Sequence, residues 1–502
     1  MNKRPGFLPT LFCAWRWFLI LLLSSFLGGT VRAQIPATPA VSTSSTYMAP
    51  VASESSPSVL SGAGSVQANP LMGSVPQGQA QPGSIDITAL EAIQRGLKYN
   101  LGLILSGQSA EAARAARLRA LSDAIPYLTS HVGESVQQIN LAAYGIPAPP
   151  GTPPVIGPFS VFDVRAFTAW NFDLKVLNTL YARAKDLAAA ESNYQNTRDL
   201  IVLVVGGTYL QALSAQARIA AIQAQFNTAE SLYQQARDMK NAGMAPGIDV
   251  LRAQVEMQVQ QQRLLVARND LAKQKLTLAR IIGLPTAQEF NLVDNIPFTP
   301  APPITLDIAL QRAFRDRADY KGALQLLQSA ELQRKASVGE RLPGLQINAD
   351  YGVLGKAPGD SHGTFTTAAY LRIPIFQGGR AKSDIQESDI LIQRRKAEAD
   401  DLRGRIEFDI RTAFLDLSSA TDQVQVARSS VDLAQQTLGE ARDRFTAGVT
   451  NNIEVVQAQE AAANTNENYI SSMFAYNVAK LELARSLGVA ENAVVQFLGG
   501  KP

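Results

Sequence analysis

The chain has 502 residues, 46% of them hydrophobic, a formal charge of +3 and one cysteine, Cys13. A lone cysteine excludes a disulfide framework, and so small a net charge argues against a nucleic-acid binder.

Residues 1–33 place Lys3, Arg4 and Arg16 before an apolar run from Phe18 to Leu27. Val31-Arg32-Ala33 follows, with the small-x-small form of a cleavage site, so the segment reads as an export signal. Its apolar core is shorter than the ~20 residues that span a bilayer as a helix. The segment carries four basic residues and no acidic one, so without it the charge of +3 becomes −1. It also holds Cys13, which precedes the apolar run and so cannot be a lipid-modified first residue. From Gln34 to Ser84 the chain is mostly Pro, Ser, Gly and Ala with Glu54 as its only charge, which predicts a disordered leader.

From Ile85 onward the chain repeats itself. At an offset of 205, Ala236-Arg237-Asp238 falls on Ala441-Arg442-Asp443, Ala242-Gly243 on Ala447-Gly448, Ile248 on Ile453, Val250 on Val455, and Ala253-Gln254 on Ala458-Gln459. That is nine identities in 19 positions, enough to establish a duplication. The predicted copies are 85–284 and 304–490, joined by a linker 285–303 and followed by a tail 491–502.

Each copy has the same order of parts. A first helix is predicted over 85–124 and again over 304–340, ending before Pro126 and Pro343. Two alternating segments follow. In Leu345-Gln346-Ile347-Asn348-Ala349-Asp350-Tyr351-Gly352-Val353 the odd positions are apolar and the even ones polar or glycine, the pattern of a strand with one greasy and one wet face. Its partner is 365–373, with Leu371 and Ile373 on the greasy side. Copy one has 128–136, more weakly patterned, and 162–174, with Val164, Trp170 and Phe172 apolar. Such alternation suits an outer-membrane barrel wall, with these residues facing lipid.

Very long helices come next, because neither 175–242 nor 381–447 contains proline. They stop at Gly243 and Gly448, and return helices start at Ile248 and Ile453. Four strands cannot close in lipid without unpaired edges, so the chain must self-associate, with two, three or four copies all permitted.

The run Pro374-Ile375-Phe376-Gln377-Gly378-Gly379-Arg380, the doubled Ala-Gly tip followed by Ile-Asp-Val or Ile-Glu-Val, and the hairpin duplication resemble the TolC family of outer-membrane efflux channels. The resemblance spans about 85–490. It implies a mainly α fold with transmembrane β, in which the repeats of a homotrimer form one β-barrel in the outer membrane and a helical tunnel in the periplasm. It also implies an exit duct for an inner-membrane pump or secretion translocase, docked to a periplasmic adaptor (membrane fusion protein).

The same resemblance assigns roles to residues. Adaptor docking falls to the tips, Gly243, Ile248, Asp249 and Val250 with Gly448, Ile453, Glu454 and Val455. Pro374, Phe376, Gly378 and Gly379 turn strand into tunnel helix, whereas copy one has Asp173-Leu174-Lys175 there. Glu454 matches the first acidic position of the family's periplasmic gate, while the next is Gln457. A ring of Glu454 would favour cations, although an acid in a first helical turn is also favoured by the helix dipole. That simpler account is preferred for Asp249.

No catalytic, metal or cofactor site is predicted. His131 lies in or beside a strand and His362 in the loop 359–363, neither with ligand spacing. The outer loops 147–158 and 354–364 are candidates to cap the barrel mouth. The competing reading is a periplasmic adaptor or soluble coiled-coil scaffold, which leaves the two-faced strands unexplained.

Overall fold

The computed structural model describes residues 69–491, apart from 77, 146, 148–149, 245, 295–298, 302, 448 and 451. The predicted signal, the leader up to 68, Gly448 and the tail beyond Glu491 lie outside the described residues.

The described chain runs β1 (Ile85–Ile87), α1 (Ala89–Tyr99), α2 (Leu101–Ala124), β2 (Tyr127–Asn140), β3 (Val155–Phe172), α3 (Leu174–Asn241), α4 (Gly247–Ile282), β4 (Phe290–Leu292), α5 (Leu306–Asp316), α6 (Ala318–Gly339), β5 (Gly344–Gly355), β6 (Ser361–Arg372), α7 (Arg380–Thr446) and α8 (Asn452–Ser486). The two long helices, of 68 and 67 residues, each extend about 100 Å at ~1.5 Å per residue. Both end in the same cap, in which Met244 N–H bonds to Met239 O at 2.8 Å and Val449 N–H to Arg444 O at 3.0 Å.

The first helix of each copy is broken, contrary to the single helices expected over 85–124 and 304–340. Asn100 ends α1 and begins α2: its side chain accepts from Gly102 N–H at 2.9 Å and donates to Leu71 O at 2.7 Å. The second break comes at Arg317, an offset of 217 later. The stretch 85–87 is strand, because it pairs in parallel with β4 inside the supposed linker. The leader reading is also too long. Val75 N–H bonds to Tyr99 O at 3.0 Å and Gln81 N–H to the Gln288 side chain at 2.8 Å, so 69–84 is partly tied to the body.

The sheet has the order β2-β3-β5-β6, all antiparallel, so the hairpins of the two copies merge through β3 and β5. Beneath it, α3 packs against α2 and then α4 on one side, and against α6 and then α8 on the other, with α7 beyond these last two. The helices thus form four columns, α2/α4, α3, α6/α8 and α7, in the order of the strands above them. Each strand is joined in sequence to the column below it.

The core sits midway down the columns. Ile201, Val202 and Val205 of α3 meet Ile281 and Ile282 of α4, Ile406 and Ile410 of α7, and Leu481 and Leu483 of α8. All are nearly or fully buried, which stabilises by roughly 1.5–3 kcal/mol per large side chain. Among the described residues one helix, α3, holds a stretch apolar enough to cross a membrane, but 56% of it is buried inside the protein, so its apolarity serves this core.

Candidate channel wall and helix tips

Register assigns the faces of the sheet. Val164 lies opposite Val353, Trp170 opposite Ile347, Phe172 opposite Leu345, and Leu345 opposite Leu371. Tyr351 pairs with Ala166 and Phe365. Side chains opposite one another in a ladder share a face, so eight of the nine residues assigned to lipid lie together. The ninth, Ile373, lies one residue past the end of β6. The face spans the ten steps from Phe172 to Phe162, about 25 Å once tilted, which is the height of a barrel's apolar band. Glu134 sits opposite Phe162, at the outer edge of that band. The additional length of β2 and β3, against the expected 128–136 and 162–174, lies mostly beyond it, and β3 ends at Phe172 because Asp173 caps α3, accepting from Val176 N–H at 2.7 Å. Trp170 Nε1–H donates to Ala124 O at 3.0 Å, giving an aromatic residue its polar partner where strands meet helices.

The opposite face carries His131, Asp163, Arg165, Asn348 and Asp350. Arg165 binds Asp163 at 2.6 Å and Asp350 at 3.2 Å, which ties copy one to copy two across β3 and β5. His362 belongs to β6, not to a loop, since it pairs with Leu354. The second outer connection is therefore only 356–360. In the first, a turn of 3-10 helix at Leu141–Tyr144 precedes β3, and Asn140 pairs with Val155.

At the base of β6 the chain passes through Pro374 to Gly378 and Gly379, with φ of 60° and 86°, before α7 begins. Those left-handed angles suit glycine alone among the residue types here. Ile375 and Phe376 are 96% and 88% exposed. Gln377 Nε2–H donates to Glu340 O at the end of α6, at 3.3 Å.

The tips divide the predicted docking residues. Gly243, Ile248 and Ile453 are exposed, as are Met244, Leu251 and Val449, which the sequence reading did not single out. Asp249 and Val455 point inward, which corrects their assignment to a docking face. Val455 packs against Leu232, Ala441, Phe445 and Ala458, because its helix turns that position toward the neighbouring columns. Asp249 pairs with Arg252 at 3.3 Å, and Val250 is half-buried. Glu454 and Gln457 are both exposed and one turn apart. The Glu454 carboxylate accepts from the Thr450 hydroxyl and lies 3.6 Å from the Arg444 guanidinium. Nearer the core, Arg218 Nε–H donates to Glu467 at 2.7 Å, linking the two helical hairpins.

Comparison with known proteins points the same way. The family model described as "Outer membrane efflux protein" matches residues 159–284 and 309–489. BepC, an outer membrane efflux protein of Brucella suis, is 23% identical over 423 residues, covering 79% of this chain and 88% of its own. AprF, an alkaline protease secretion protein of Pseudomonas aeruginosa, is 20% identical, covering 67% of this chain and 69% of its own. Among solved structures, the Campylobacter jejuni outer membrane channel CmeC superposes with a TM-score of 0.70 at 16% identity, covering 84% of this chain and 92% of that one.

Proposed function

This chain belongs to the outer membrane efflux protein family, and on that premise we propose that it is the passive exit duct of a tripartite export system, with its strands in the outer membrane and its helices in the periplasm. The observation that carries the reading is the matched order of strands and columns. A sheet with one apolar face and two open edges, β2 and β6, stands on columns whose outer members are α2/α4 and α7. Edges in lipid must be paired, so β6 of one copy meets β2 of the next, and three copies give a barrel of about a dozen strands over an equal number of columns. The partners are further copies of itself, outer-membrane lipid, a periplasmic adaptor and an inner-membrane transporter.

Adaptor docking falls to the exposed tip residues Ile248 and Ile453 with Met244, Leu251 and Val449, and the three Glu454 carboxylates line the periplasmic mouth. Gly378 and Gly379 admit the turn from strand to tunnel. The duct performs no chemistry of its own. One relative is named for protease secretion and another for efflux, so cargo is chosen by the pump and adaptor rather than by this fold.

Membrane fractionation with planar-bilayer recording tests the reading. The purified protein should leave the outer membrane only in detergent, run as a heat-resistant oligomer and open discrete conductances. Release by osmotic shock as a water-soluble monomer would return the scaffold reading.

A further inference from the structure

The most exposed large apolar side chains at the foot of the sheet, Ile375 and Phe376, follow β6, whose outer edge is open. At the other side of the protomer, below the open edge of β2, the last turns of α2 expose Leu118, Leu121 and Ile125, at 60%, 42% and 52%. The spacing of three places Leu118 and Leu121 on one helical face, and Ile125 follows directly as the extended residue that ends the helix.

The sheet itself says how the two sides meet. β6 descends and β2 ascends, so pairing between copies is antiparallel, as it is at every other neighbour in the sheet. Within the chain, a strand rising from a helix starts within three residues of the level at which its descending neighbour ends: Gly344 lies opposite Arg372, Leu345 opposite Phe172, and Tyr127 opposite Ala169. Applied between copies, this sets Tyr127 near the level of Arg372, so 373–376 descends beside the end of the neighbour's α2. Gln377 supports that depth, because it touches Glu340, the copy-two counterpart of Asp123 at the offset of 217. Copy one offers a control. Its descending strand β3 is followed at once by Asp173 and α3, with no Ile-Phe segment between, Leu174 is 44% exposed against 96% and 88% for Ile375 and Phe376, and its neighbour is β5 of the same chain.

We propose that Ile375 and Phe376 seat on the Leu118, Leu121 and Ile125 face of the adjacent copy, a knob present only where a column borders another chain. The inference rests on the duct reading, which supplies the ring of copies. The contact is head-to-tail, so repeating it closes a ring instead of joining two identical patches.

The test is paired cysteines in a Cys13→Ser background, Phe376→Cys with Leu121→Cys and, as a second pair, Ile375→Cys with Ile125→Cys. A short bifunctional maleimide should convert most of the assembled protein to covalent oligomer on denaturing gels, and neither single variant should do so. An intact oligomer that neither pair can link, with Phe376→Cys instead labelled by a lipid-soluble maleimide, overturns the seam and leaves the duct standing. Absence of any oligomer before linking removes the ring, and the seam falls with the duct reading.

Discussion

Gly488 lies against the backbone of Arg317, where at a φ of +71° a β-carbon would come within 2.8 Å of the arginine nitrogen and Cα. The same joint recurs in copy one, where a β-carbon on Gly283 would meet Tyr99 Cβ at 2.5 Å. Each return helix is thereby fitted to the break in its copy's first helix. Gly488→Ala should cost about 2 kcal/mol or more, from left-handed strain and the clash with backbone. Gly439→Ala, in a helix interior with no atom near its would-be β-carbon, should stabilise by roughly 0.5–1 kcal/mol. Thermal denaturation of the two variants in one detergent should move in opposite directions.

Arg317, only 3% exposed, holds Asp319 at 2.7 Å and Asp409 at 3.0 Å. Burial alone would raise the Asp319 carboxyl, but the hydrogen bonds and charge of Arg317 outweigh it and keep it below the ordinary carboxylate value. That contribution is present above the unfolded carboxylate's range and is lost as pH falls through the depressed value. Arg317→Met should cost about 3 kcal/mol or more by taking the near guanidinium from Asp319 and Asp409 and leaving Asp319 with Arg485 at 3.7 Å, and adding Asp319→Asn should recover part of it. Melting between pH 7 and pH 3 should show the steep acid loss in the parent protein and not in the double variant.

Lys480 is fully buried, with Nζ donating to Thr299 O at 3.0 Å and to its hydroxyl at 2.9 Å. Burial pulls its amine down to about 8. The unfolded chain therefore binds more protons between that value and the ordinary lysine range, and stability rises with pH across this window. Lys480→Met should abolish that rise. Melting temperatures of parent and variant from pH 7.5 to 10 read the difference, and a parallel pair of curves would dismiss it.

At the tip, Arg444 faces Glu454, so the carboxylate's field is partly cancelled. Arg444→Gln should raise cation over anion permeability, and Glu454→Gln should lower it. Reversal potentials in a salt gradient measure both. Equal shifts in one direction, or none, would show that Glu454 does not line the mouth.

Ala349 and Asn348 stand at nearly one depth on opposite faces of β5, the first opposite Thr168 and Thr367, the second opposite Ala169 and Ala368. Ala349→Arg should cost about 2–4 kcal/mol in lipid, and Asn348→Arg, in a wet lumen, much less. The yield of assembled oligomer in the outer membrane should separate them.

Much of this was legible along the chain. The alternation in 345–353 placed Leu345, Ile347, Tyr351 and Val353 on one face, and Gly243 marked a helix end where the structure has one. The breaks at Asn100 and Arg317 were missed because a single polar residue in a helical pattern gives no period change. Thr88 and Thr305, which stand at the N-caps of α1 and α5 and share the offset of 217, were the available signal for where those helices start, at 89 and 306 instead of 85 and 304. The strand 85–87 was missed because its partner lies about 200 residues away.

By itself the sequence determined the duplication, the order of parts within each copy, and the two-sidedness of the strands, since these follow from local spacing alone. Only the tertiary structure decided that β3 joins β5, that Asp249 and Val455 turn inward while Ile248 and Ile453 turn out, and that Glu454 meets Arg444. Periodicity records which residues share a face. Which faces then meet depends on contacts between distant segments, and the free energy of packing settles those.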